Sequence, residues 1–326
     1  MRLVILGAGA IGGVVGGLLA RANREVLLLA RGAHLAALRE RGLRVESPGE
    51  TFVVHPPVAE RVADWRPGDL VVLATKTQDA AAALRGLAAP PEIPIACFTN
   101  GVEAERIALR HARSVYGACV MMPATYLQPG IVQVWAAPVP GLIDVGRYPD
   151  GQGEHVDELA GELIVAGFSV ETRTNIMKWK RGKLLSNLAN GAEALCGPAA
   201  RTSAIADRVR AEARACFAAA NLSCSTEAED AARRTGYASK PIEGATRSGG
   251  STWQSLARGA TTLETDYLNG EIALLGRLNN VPTPVNEALQ RIAAEAAAAG
   301  HAPGSMSLDE LAARVSRYER VEQAPQ

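Results

Sequence analysis

Met1-Arg2-Leu3-Val4-Ile5-Leu6-Gly7-Ala8-Gly9-Ala10-Ile11-Gly12-Gly13 opens the chain. An apolar run of strand length passes directly into G-x-G-x-x-G, and small and apolar residues continue to Ala20 as in a close-packed helix. In that strand–turn–helix setting each glycine has a reason. Gly7 allows the tight turn, Gly9 lets backbone amides approach a diphosphate, and Gly12 lets the helix lie close on the strand. The diphosphate would meet the positive end of the helix dipole. Gly7, Ala8, Gly9, Ala10, Ile11 and Gly12 are therefore candidate residues for binding a dinucleotide cofactor.

A second reading competes for the same stretch. Arg2, the apolar run to Leu19 and Ala20-Arg21-Ala22 also outline a signal peptide. Glycines at 7, 9, 12, 13, 16 and 17 suit a turn and a close-packed helix better than an apolar signal core. The next segment favours the first reading. Glu25-Val26-Leu27-Leu28-Leu29-Ala30 reads as a second buried parallel strand, at the spacing of a βαβ unit. An NAD site places Asp or Glu about 20 residues after the glycines, on the ribose 2′-hydroxyl. Here the strand ends in Arg31-Gly32 instead. A guanidinium fork matches a 2′-phosphate, so Arg31 predicts NADP(H) over NAD(H). The alternative is a solvated arginine at a strand end.

The length of 326 residues predicts two domains, and an apolar fraction of 48% supplies their cores. The 34 basic and 34 acidic residues cancel, so bulk charge gives no reason to expect nucleic acid or a membrane surface as partner. Beyond the opening no long uncharged apolar span predicts a transmembrane helix. Cys97, Cys119, Cys196, Cys216 and Cys224 include no C-x-x-C pair and are odd in number. Reduced thiols in a cytoplasmic protein are the simple reading, with no metal site expected.

The first half alternates strand and helix. After the second strand the pattern predicts a helix over 34–41, short strands near Leu43 and Thr51, a buried strand over 69–75, a helix over 78–87 and a strand over 93–98. Residues 114–146 read as strands broken by Pro and Gly, an antiparallel extension of the sheet. A helix over 154–166 and a strand over 168–172 close this half. From 174 onward only helical periods remain, at 175–195, 204–220, 226–234, 251–278, 284–299 and 307–320. The expected fold is an α/β Rossmann-type N-terminal domain over 1–173 followed by an all-α C-terminal domain over 174–326. Ligands of open α/β sheets bind beyond the carboxyl ends of the strands. The expected place for a substrate is thus a cleft between the domains.

Three loops follow predicted strand ends: Gly7 to Gly12, Thr75-Lys76 and Thr99-Asn100-Gly101. Lys76 suits a phosphate or ribose, against the plain reading of a lysine facing water. Asn100 suits ribose or substrate oxygens, against that of a simple turn. The most chemically loaded segment is Lys178-Trp179-Lys180-Arg181-Gly182-Lys183-Leu184-Leu185-Ser186-Asn187-Leu188-Ala189-Asn190. On one continuous helix Asn187 lies about 40° and Asn190 about 20° from Lys183. One stripe then carries an amine and two amides, with leucines on its flanks. Such a stripe suits a polar cleft, where Lys183 could bind a carboxylate and protonate a ketone oxygen. A solvated basic face, or a nuclear-localisation patch, is the alternative. Further on, Ser251 or Thr252 could cap a long helix or offer a hydroxyl to a carboxylate. Glu264 could bond ribose hydroxyls, although by periodicity alone it is an ordinary helical acid.

Together these residues resemble the ketopantoate reductase (2-dehydropantoate 2-reductase) family. The likeness rests on the glycine run with Arg31, Lys76, Thr99-Asn100-Gly101, Lys183-Leu184-x-x-Asn187, Ser251-Thr252 and Glu264-x-Asp266-Tyr267-x-Asn269-Gly270. It implies a Rossmann domain plus a helical domain, a homodimer, and NADPH-dependent reduction of a small-molecule 2-oxo acid to a 2-hydroxy acid in pantothenate biosynthesis. It implies that Gly7 to Gly12, Arg31 and Lys76 hold NADP, and that Asn100 meets cofactor and substrate. Lys183 is then the proton donor, Asn187 and Thr252 bind substrate, and Glu264 is a cofactor-binding or catalytic acid. The chain departs from the family where Gly191 stands in place of a second amide, which Asn190 could supply. Thr252 stands where Ser is common, and residues 193–197 lack an expected polar group. These departures touch the substrate more than the cofactor, so another 2-oxo acid or ketone stays open as substrate. A non-catalytic NADP(H) sensor is the reading from another class, and it has no use for a lysine proton donor.

Overall fold

Arg2–Leu6 (β1) is an interior strand of an eight-stranded sheet, flanked on both sides by parallel neighbours. The computed structural model describes residues 1–247 and 249–322. The remaining strands are β2 (Val26–Leu29), β3 (Leu43–Ser47), β4 (Glu50–Val54), β5 (Val58–Ala59), β6 (Asp69–Leu73), β7 (Ile95–Cys97), β8 (Val115–Met121), β9 (Ala124–Gln128), β10 (Ile131–Val134), β11 (Leu142–Arg147) and β12 (Ser169–Thr172). The large sheet runs β12-β11-β8-β7-β6-β1-β2-β5. All its pairings are parallel except β8 with β11.

The apolar runs of β1 and β6 follow from cover on both faces. Leu3, Ile5, Leu70 and Val72 join one core with Val14, Val15 and Leu19 of the helix Ala10–Arg21. Val4, Leu6, Val71 and Leu73 join another with Ala80 and Leu84 of the helix Thr77–Leu87. From β1 the chain moves to β2 on one side and later to β6 on the other. That reversal of strand order is where nucleotides bind in this class of sheet.

The Rossmann-type fold of the first half is as expected, with one change of detail. Residues 114–146 do not simply extend the large sheet. Strands β9 and β10 instead join β3 and β4 in a second sheet, ordered β4-β3-β10-β9. The glycine face of the first helix accounts for this. A Cβ at Gly13 would lie 2.6 Å from Val132 of β10, and one at Gly17 2.8 Å from Val45 of β3. Only a bare helix face lets this sheet pack so near.

By contacts the chain divides into two units. Unit one is Met1–Lys180 with Thr226–Arg247; unit two is Arg181–Ser225 with the described residues of 248–326. The division falls inside the helix Ile176–Asn187. Residues 226–247 group with unit one through specific charges. Arg233, on the helix Glu227–Arg233, meets the fully buried Asp144 at 2.7 Å and bonds Ser169. Arg173 holds the other oxygen of Asp144. Lys178 pairs with Glu229 at 2.5 Å, and Glu229 also closes a capping box with Thr226.

Unit two is helical, as expected. The helices Asn190–Cys196, Ala204–Ala219, Asn269–Asn279, Pro284–Ala298 and Leu308–Glu322 bury Leu195, Val209, Ile272, Leu289, Ile292 and Leu311. Two expected helices are broken. The span 251–278 is a short helix, Ser251–Ala257, a 3₁₀ turn, Glu264–Tyr267, and then Asn269–Asn279. Gly259, at φ +70°, ends the first piece. Its N–H donates to Leu256 O and that of Ala260 to Ser255 O, the paired bonds of a Schellman motif. The span 175–195 breaks at Leu188-Ala189. There the carbonyls of Ser186 and Leu188 accept side-chain donors, from Arg201 at 3.1 Å and Asn269 at 3.0 Å. Among the described residues no helix is long and apolar enough to cross a membrane.

A tight backbone fit lies at Gly12, where a Cβ would sit 2.1 Å from Gly7 O and 2.8 Å from Ile5 Cγ2. Backbone cannot yield as a flexible side chain can. Gly12→Ala is expected to lower stability by about 1–3 kcal/mol, read as a lower denaturant midpoint at unchanged slope; an unchanged midpoint would contradict this packing.

Candidate active site

The carboxyl ends of β1, β6 and β7 are adjacent in the sheet, so the loops after them gather at one edge of unit one. Gly7 takes φ +105°, and a Cβ there would lie 3.0 Å from Thr75 N. At Gly9, by contrast, a Cβ would meet nothing within 4 Å. Gly9 is the N-cap of the helix Ala10–Arg21, with no side-chain cap bond and no acid in the first turn. The tight glycines are thus those that shape the turn, and the open one is that a diphosphate would approach. This is the arrangement that a dinucleotide needs.

Polar atoms around the same edge fit a ligand as well. Thr75 Oγ1, Gln78 Oε1 and Thr99 Oγ1 are buried and have no hydrogen-bond partner among the described residues. Buried polar atoms are rarely left so without a ligand or water. Lys76 is the N-cap of the helix Thr77–Leu87, and Thr77 Oγ1 donates to Asn100 O at 3.2 Å. Arg31 is exposed at the end of β2, as N-cap of the helix Gly32–Arg41, with no acid beside it in sequence. Its guanidinium lies 3.5 Å from where a Cβ on Gly86 would stand.

Sequence reasoning missed His34. Gly130 N donates to its Nδ1 at 3.0 Å, which leaves Nε2 to carry the proton and donate to Ala8 O at 2.8 Å. The ring thus ties the glycine loop to the turn between β9 and β10, and it packs on Tyr126. Burial lowers the pKa of His34, against the opposing bond to Ala8. Only the second sheet makes the contact with Gly130, and no local pattern announced it.

Unit two carries the other candidates. Lys183 and Asn187 sit one turn apart on the partly exposed side of the helix Ile176–Asn187, while Leu184, Leu185 and Leu188 are buried beside them. Gly182 passes so near Ser225 that a Cβ would lie 1.8 Å from its Oγ. Asn190 is not on the same helix. It starts the next one, is 5% exposed, and its Oδ1 accepts from Arg201 Nη1 at 2.8 Å. The same nitrogen meets Glu193 at 2.7 Å, and Glu193 Oε2 lies 2.8 Å from where a Cβ on Gly250 would be. Arg201 therefore links the end of the lysine helix, Asn190, and the approach to Ser251-Thr252. The sequence reading did not include it.

At that approach Gly250, not Ser251 or Thr252, is the N-cap. Both hydroxyls are left without a partner among the described residues, and Thr252 is 2% exposed. Glu264 is buried on the 3₁₀ turn Glu264–Tyr267. Next to it, Thr265 lies 3.3 Å from where a Cβ on Gly191 would stand, with Leu289 at 3.6 Å. Position 191 thus faces the packing of unit two. Asn269, part of the quoted motif, is a brace: its amide donates to Leu188 O and to Asn286 Oδ1. Among the described residues no group of three His, Cys, Asp or Glu side chains is placed to hold a metal ion.

Comparison with known proteins gives consistent names. The family model of ketopantoate reductase PanE/ApbA matches residues 3–150, and that of its C-terminal part matches residues 175–297. The 2-dehydropantoate 2-reductase of Pyrococcus horikoshii is 32% identical over 192 residues, or 58% of this chain. That match spans 62% of the relative's own length. A PanE/ApbA family ketopantoate reductase from Ralstonia eutropha superposes with a TM-score of 0.75 at 28% identity, over 92% of this chain and 99% of that one. D-mandelate dehydrogenase, solved with NADH and anilino(oxo)acetate, gives a TM-score of 0.77 at 22% identity over the same shares, a likeness of fold.

The His34 tether has a sign in pH. Its folded-state pKa lies below the ordinary 6.5, so its contribution to stability is fully present above that value and is lost as pH falls below it. Gln at 34 keeps a donor and an acceptor without titrating. Between pH 7 and pH 5 the melting temperature should fall more steeply for the parent protein than for His34→Gln. Parallel curves would contradict the neutral, doubly bonded ring.

Proposed function

This chain belongs to the ketopantoate reductase PanE/ApbA family, and we propose that it reduces a 2-oxo acid to a 2-hydroxy acid with NADPH, 2-dehydropantoate being the first candidate substrate. When bound, the reduced nicotinamide supplies the hydride. The glycine turn from Gly7 to Gly12 would hold the diphosphate, Arg31 the 2′-phosphate and Lys76 a phosphate or ribose, while Asn100 would meet both cofactor and substrate. Lys183 gives its proton to the ketone oxygen as that oxygen becomes an alkoxide. Positive charge aimed at this atom stabilises the transition state more than the ground state. Asn187 and the hydroxyl of Thr252 bind the acid, and Glu264 serves the cofactor or the proton transfer.

The observation that carries the substrate half is Thr252: a hydroxyl 2% exposed, with no partner among the described residues, in the same unit as a lysine and an amide one helical turn apart. A side chain paid for in this way suits a ligand better than a core. A second substrate reading draws on position 191. The family's amide is missing there, the position faces Thr265 and Leu289, and Asn190 is taken up by Arg201. A contact set altered in this way suits a 2-oxo acid other than 2-dehydropantoate. D-mandelate dehydrogenase, a protein of like fold, was solved with NADH and anilino(oxo)acetate.

Two variants test the assignment. Lys183→Ala is expected to bind NADPH as the parent does and to lose turnover by roughly 10²- to 10⁴-fold; parental turnover would remove Lys183 from the chemistry. Arg31→Ala is expected to weaken NADPH binding and leave NADH binding unchanged, both read by titration. An unchanged preference for NADPH would remove Arg31 from the 2′-phosphate.

A further inference from the structure

Lys180 and Glu105 form an enclosed ion pair in unit one that the proposed chemistry does not use. Lys180 Nζ lies 2.5 Å from Glu105 Oε1, and the two side chains are 2% and 0% exposed. Gly117 of β8 and Ile176 close the carboxylate in: a Cβ on Gly117 would lie 3.4 Å from Glu105 Oε1 and 3.1 Å from Ile176 Cγ2. Burial pushes the Glu105 carboxyl up, and Lys180 opposes that rise. An apolar pair of like volume would hold such a place as well or better, so the charges call for another reason.

The ammonium supplies one. Lys180 Nζ also donates to Thr99 O at 3.0 Å. On the next peptide, Thr77 Oγ1 donates to Asn100 O at 3.2 Å. The peptide planes on either side of the Asn100 Cα are therefore each fixed by a side-chain donor. Gly101, at φ +72°, lets the chain turn away directly afterwards. Fixing both planes fixes the direction in which Asn100 leaves the backbone. Glu105 holds the ammonium in place, and Lys180 holds the plane.

We propose that Lys180 and Glu105 are a positioning pair that aims the Asn100 side chain at cofactor and substrate. This rests on the reading of Asn100 given above. The test is a cycle on the full-length protein, with Lys180→Met/Glu105→Gln as one change and Asn100→Ala as the other. The readouts are NADPH binding by fluorescence and kcat/KM for 2-dehydropantoate. Each change alone should lower kcat/KM by about tenfold or more. Combined, they should cost no more than about threefold beyond Asn100→Ala alone, because the pair acts through that side chain. Losses that multiply in full would overturn the proposal and leave the pair a purely structural role. Should the paired variant not fold, Glu105→Gln alone keeps an acceptor for Lys180, and the same cycle applies: overlap supports the proposal and full multiplication overturns it. If Asn100→Ala alone changes neither binding nor turnover, the reading of Asn100 itself fails and takes the proposal with it. That outcome is distinct from full multiplication, in which Asn100 matters and the pair does not act through it.

Discussion

The absence of a side chain at Gly12 is the constraint on which the first unit depends. With Gly7 O only 2.1 Å from where its Cβ would be, the first helix rests directly on the turn that precedes it. That closeness brings the helix N-terminus beside the carboxyl end of β1. Gly13 and Gly17 extend the bare face to the second sheet, which supplies the backbone amide at Gly130 that holds His34. His34 in turn holds Ala8, between the turn glycine and the open one. One surface of small residues therefore sets strand, helix, second sheet and glycine loop relative to one another.

Unit two uses the opposite device. Its lysine helix is ended by polar side chains that draw off backbone carbonyls, where a glycine or proline would have been the familiar signal. Arg201 and Asn269 accept that task from different directions, and Asn269 is itself held by Asn286. The break moves Asn190 onto a new helix while Lys183 and Asn187 stay together. Because Arg201 also pairs with Glu193, the same guanidinium that ends the helix fixes the amide beyond it.

What could be read from the chain and what could not divide along the range of the forces. The glycine turn, Arg31 at a strand end, and the 3.6-residue period of the second half are local patterns, and the elements they announced are present. The lost ground is where distant residues decide. Nothing near Leu188 marks a break, because its partner Asn269 lies 81 residues on. The helix Glu227–Arg233 reads as one more helix of the second half, yet it groups with unit one through Arg233 and Asp144, 89 residues apart. The end of Ser251–Ala257 is the exception: Arg258-Gly259 was a visible stop signal that a run of helical period concealed. Among site residues, Glu264 gained its weight from the family likeness, and the burial of Glu264 and Thr252 is a property of the fold.

The reading proposed for this chain is NADPH-dependent reduction of an oxo acid. The most direct measurement is NADPH oxidation by the purified protein against a panel of 2-oxo acids that includes 2-dehydropantoate, with the product analysed. On that reading at least one of these acids is converted to its 2-hydroxy acid, one molecule for each NADPH consumed. Saturable NADPH binding with no oxidation across the whole panel would contradict it.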